Sequence, residues 1–72
     1  MKYFKVTLES GRHFVVKGET EAAAKNGAYL CLYNDFDLEG DKLVSMNPIQ
    51  SSAVEEAVST SYDGLVVSGF SN

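Results

Sequence analysis

Residues 3–9 alternate strictly: Phe4, Val6 and Leu8 share one face, and Tyr3, Lys5, Thr7 and Glu9 share the other. A period of two is the mark of a half-buried β-strand. Ser10-Gly11 then turns the chain into a second alternating run over 12–17, with Phe14 and Val16 set against His13, Val15 and Lys17. Register follows from burial. A two-residue turn pairs Leu8 with His13 and Val6 with Val15, which leaves Phe14 outside. A three-residue loop with Gly11 as the bulge pairs Val6 with Phe14 and Phe4 with Val16. Only the second places all five large apolar residues on one side, so it is the register expected.

Gly18-Glu19-Thr20 leads into a helix over 21–33, with Thr20 as N-cap and Glu21 near the positive end of the dipole. At 100° per residue, Ala24, Gly27, Ala28 and Cys31 form the inner face, flanked by Leu30 and Leu32. Lys25, Asn26, Tyr29 and Tyr33 fall on the opposite face. An acidic loop runs from Asp35 to Asp41, and a third strand is expected at 42–47, ended by Pro48. Ser52 with Glu55 fits a capping box for a short helix over 53–58. Asp63-Gly64 reads as a hairpin turn between strands 58–62 and 65–70, with a longer short helix as the rival for 59–62. These elements predict an α+β single domain over 1–72: a small antiparallel sheet built on a β-β-α-β core plus a short helix and C-terminal hairpin, with the main helix on one face.

Composition narrows the function. The chain has 72 residues and 44% hydrophobic content, enough for one core and too apolar for a disordered chain. Such a domain buries only about 60% of its unfolded surface, so modest stability is expected. One cysteine, Cys31, and one histidine, His13, cannot build a zinc ribbon or finger, and no cofactor is expected. A cytoplasmic home is expected from this cysteine usage, and no leader pattern follows Met1-Lys2. Ala28 to Tyr33, the longest apolar-rich stretch, is too short to cross a bilayer.

Net charge is −4 and unevenly placed. Residues 1–17 hold Lys2, Lys5, Arg12 and Lys17 against Glu9. Residues 18–72 hold Lys25 and Lys42 against nine carboxylates. Such polarity orients a charged partner.

Candidate chemistry is sparse. Asp35, Asp37, Glu39 and Asp41, with Gly40 sixth in the run, match the first half of a calcium loop. The second half departs, with Lys42 at the eighth position and Met46 where a bidentate Glu is needed, so a solvated acidic loop is the reading preferred. No nucleophile motif or phosphate loop occurs, and a non-catalytic protein is expected. Tyr3, Lys5, His13 and Lys17 form a secondary basic face, too small for direct nucleic-acid binding by so acidic a chain. Tyr29, Tyr33 and Phe36, beside Asp35 and Asp37, form the aromatic set expected to bind a partner. The alternative is that these tyrosines pack under residues 58–70.

The run Lys5-Val-Thr-Leu-Glu-Ser-Gly-Arg-His-Phe-Val-Val16, then Glu19-Thr-Glu-Ala-Ala-Ala-Lys25 and the Val44-Ser45 strand, resembles small β-β-α-β accessory and host-takeover proteins of bacteriophages and mobile elements. The likeness covers residues 2–47 and carries over no functional residue. It implies an accessory or host-takeover factor working in the host cytoplasm, a group in which some members, anti-CRISPR proteins among them, inhibit host machinery. An inhibitor of a host protein is the expectation. The expected partner is another protein with a basic surface. The alternatives are an acidic nucleic-acid mimic, a weak calcium module or a small nucleic-acid binder. A homodimer through an edge strand or the tyrosine face is also open.

Overall fold

The computed structural model describes residues 1–71. Strand β1 (Lys2–Leu8) and strand β2 (His13–Gly18) pair in the register that buries the apolar alternation: Phe4 lies opposite Val16 and Val6 opposite Phe14. Leu8 donates to the Arg12 carbonyl at 2.9 Å, and the three-residue loop between them turns at Gly11, where φ is +93°. Glycine takes that left-handed conformation without a Cβ clash.

Helix α1 (Glu21–Asn34) begins where Thr20 Oγ1 accepts the Ala23 N–H at 3.1 Å, the cap expected from sequence. Its small residues Ala23, Ala24, Gly27 and Ala28 are buried and let the helix backbone approach the sheet closely. The core joins Phe4, Val6, Leu8, Phe14 and Val16 to Ala24, Ala28 and Leu38. Cys31 packs against the margin of this cluster, and Leu30, expected as a flank, is exposed.

Strand β3 (Leu43–Ile49) joins the other side of β1, antiparallel. Pro48 does not end it but sits within it, opposite Phe4. Proline is tolerated there because β3 is an edge, and the missing donor is on the solvent side. The register shifts between Thr7 and Leu8, which leaves Val44 as an extra residue on β3. A bulge and a proline together blunt this edge against strand addition.

The C-terminal part departs from the sequence expectation. No hairpin forms. Helix α2 (Val54–Ser59) is the short helix expected over 53–58, one residue later. Of the strand expected at 58–62, the first two residues lie in α2 and the rest form a turn. Strand β4 (Val66–Ser68), within the run expected at 65–70, pairs with β2 in parallel. The sheet is therefore mixed, in the order β3-β1-β2-β4. Asp63-Gly64 does not join two paired strands, because neighbouring side chains close the turn themselves: Ser61 Oγ accepts the Gly64 N–H at 2.9 Å and Asp63 Oδ1 the Leu65 N–H at 3.1 Å. The Ser52–Glu55 capping box also fails. A 3-10 turn at Ser51–Ala53 leads into α2, and neither element carries a side-chain N-cap.

Candidate functional site

The aromatic–acidic surface is assembled where α1 ends. The Asp35 N–H donates to the Cys31 carbonyl at 3.0 Å and closes the helix, and a 3-10 turn follows at Phe36–Leu38. Leu38 drops into the core at 1% exposure, which turns Phe36, two residues earlier, outward. Phe36 is 90% exposed, Tyr33 89% and Tyr29 51%. Rings this large are usually half-covered at least, and their exposure beside one another is the feature of the molecule that needs a reason. A shallow groove runs between Tyr33 and Phe36, with Leu32, Asp35, Glu39 and Gly40 completing its walls. A second groove, along Tyr29, Leu32, Tyr33, Lys42 and Leu43, continues the surface toward β3.

The ring that packs under the sheet's end is Tyr62, not Tyr29 or Tyr33. It meets Phe14 edge-on, with ring centroids 6.0 Å apart. Its hydroxyl donates to Asp35 Oδ2 at 2.5 Å, and the Cys31 Sγ lies 3.4 Å from the Tyr62 hydroxyl oxygen. Sequence reasoning missed Tyr62 because no local pattern links it to Asp35, twenty-seven residues earlier. Asp35 also accepts the Asp37 N–H at 2.9 Å. These bonds, the Tyr62 hydroxyl first, hold the Asp35 carboxyl below the usual carboxylate range. Burial pushes the Cys31 thiol up, so this cysteine is a poor nucleophile.

The four loop carboxylates play two roles. Asp35 is engaged as described. Asp41 accepts from Ser10, through its N–H at 3.1 Å and its hydroxyl at 2.5 Å, and from the Lys42 N–H at 3.0 Å. Those contacts, the Ser10 hydroxyl first, lower its pKa also. Asp37 and Glu39 keep exposed side chains. Arg12 reaches across from the hairpin and donates to the Asp37 carbonyl. The calcium half-loop therefore does not converge: Asp35 faces Tyr62 and Asp41 faces Ser10. Among the described residues, no three His, Cys, Asp or Glu side chains are grouped so as to hold a metal ion.

The secondary basic face is also reorganised. His13 is not a free surface imidazole: its Nε2 lies 3.2 Å from the Ala57 carbonyl and 3.0 Å from Thr60 Oγ1, at the end of α2. Val15, expected on the outer face, is fully buried where α2 lies against β2 and Val66 pairs beside it. Tyr3, Lys5 and Lys17 are each half-buried. The face keeps its cations but loses its histidine to the scaffold. Among the described residues, no helix is long and apolar enough to cross a membrane.

Compared with protein-family models, with curated proteins and with solved structures, the chain matches none.

Proposed function

We propose that this chain is a non-catalytic factor that binds another protein through Tyr33 and Phe36, flanked by Tyr29, with Asp37 and Glu39 as a charged rim that selects a basic surface. The observation that carries this reading is the exposure of Tyr33 and Phe36, at 89% and 90%, on a helix end anchored by Leu38. Aromatic side chains of this kind each offer roughly 150–250 Å² for burial at low entropic cost. Carried on the end of α1 and on the 3-10 turn that Leu38 anchors, their backbone positions are fixed before the partner arrives, which lowers the cost of docking. Beside the likeness to phage accessory proteins over residues 2–47, this supports a stoichiometric inhibitor that occludes a basic functional surface of a host protein in the host cytoplasm. Asp35 and Asp41 take part indirectly, by fixing the loop that carries the rim.

The test is capture of partners from bacterial lysate at low and high salt, followed by kinetics with the captured protein. Charge reversal at Asp37 and Glu39 slows association about tenfold at low salt and leaves dissociation nearly unchanged. A complex equally tight at both salts, and indifferent to that reversal, contradicts the charged-rim reading.

A further inference from the structure

From the groove between Tyr33 and Phe36 we infer a seat for an arginine side chain of the partner. This rests on the binding reading above and sharpens it, from a basic surface to one side chain with a defined chemistry.

Three observations converge on a guanidinium. The groove's walls are two ring-bearing residues, Tyr33 and Phe36, over the aliphatic Leu32, and Asp35 and Glu39 lie on the same rim. A planar cation slides flat against ring faces and still directs N–H groups edge-on to a carboxylate; an ammonium is a strongly hydrated point charge and does neither as well. The groove is shallow, which suits a flat cation lying along the rings. Asp35 also keeps its charge near neutral pH, because the Tyr62 hydroxyl and the Asp37 N–H stabilise its ionised form.

The loop's hairpin-facing side holds the Arg12 guanidinium against a backbone carbonyl, that of Asp37. The side bounded by Tyr33, Phe36 and Glu39 presents rings and a carboxylate to solvent. Asp35, on the groove's rim, is held in place by the Tyr62 hydroxyl and the Asp37 N–H. Glu39 is the forked acceptor, and Phe36 and Tyr33 supply the faces.

The test is amide and side-chain NMR of the full chain titrated with three capped tripeptides that differ only in a central arginine, lysine or citrulline. Arginine peptide should shift the signals of residues 32–40, and citrulline, which keeps the shape without the charge, should shift none of them. Lysine should bind more weakly by about tenfold. Glu39→Gln, Phe36→Ala and Tyr33→Leu should each lose the arginine response; the last keeps apolar area but removes the π face. All three sites are exposed, so unchanged spectra elsewhere report an intact fold. Equal shifts with arginine and lysine, a response to citrulline, or shifts centred outside residues 32–40 would overturn the seat. A captured protein that still needs Tyr33 and Phe36, with no arginine response, would remove this inference and leave the binding reading standing.

Discussion

Tyr62 and Asp35 tie the C-terminal segment to the end of α1 through one hydrogen bond of 2.5 Å. This bond makes an acid-sensitive contribution whose direction can be stated. A carboxyl whose pKa is lowered in the folded state stabilises the fold above the ordinary carboxylate range, near about 3.9. That contribution is lost as pH falls through the lowered native value. Tyr62→Phe removes the largest cause of the lowering and keeps the ring against Phe14. The variant should be less stable than the parent at neutral pH, and its stability should fall less steeply in acid. On the alkaline side, burial and then Asp35 push the Tyr62 phenol above its ordinary range. Its contribution is complete below about pH 10 and declines as pH rises beyond that value. Denaturation midpoints followed against pH for both proteins check this, and superimposable acid limbs would show that the bond contributes nothing.

At the scale of elements, the crossing of α1 with the chain after β4 sets the position of Gly69 and Phe70. Gly69 donates to the Lys17 carbonyl at 2.6 Å and Phe70 to the Ala23 carbonyl at 3.0 Å. A Cβ on Gly27 would come within 2.7 Å of Gly69 Cα and 2.9 Å of the Ser68 carbonyl oxygen, both of them backbone. Helix propensity alone makes Gly27→Ala stabilising by about 1 kcal/mol. Packing predicts the opposite sign here, a net loss of roughly 1–3 kcal/mol, with hydrogen-exchange protection falling first in β4. A Gly27→Ala protein more stable than its parent would show that the crossing is loose. The β1–β2 hairpin and α1 were legible from sequence because their signals are local: alternation, Gly11 at the turn and the Thr20 cap. The short helix α2 was legible too, from the run after Ser52, but the pairing of the last strand was not. β4 has three residues, and its partner lies some fifty positions earlier, so neither alternation nor turn chemistry could announce a parallel pairing. Asp63-Gly64 misled for a physical reason, since Ser61 and Asp63 satisfy that turn without any paired strands.

Across the whole molecule, the helical period placed Tyr29 and Tyr33 outward, but it left open whether another segment covered them. The structure resolves that through Tyr62, which takes the packed position and leaves the other rings exposed. The acidic loop was visible as charge and invisible as architecture. Nothing local distinguishes Asp35 and Asp41, which hold the chain, from Asp37 and Glu39, which face solvent. His13 shows the same limit, since its partners on α2 lie more than forty residues away. The resulting surface has an exposed aromatic end on the acidic side of the chain. The measurement that tests this most directly is parallel capture from bacterial lysate with the parent protein and with Tyr33→Ala/Phe36→Ala, both checked for equal thermal stability. Because both rings are exposed, their removal should change stability by no more than about 0.5 kcal/mol. The binding account predicts one dominant, salt-sensitive partner on the parent and its loss on the equally folded variant. The same partner recovered undiminished on the variant would contradict it.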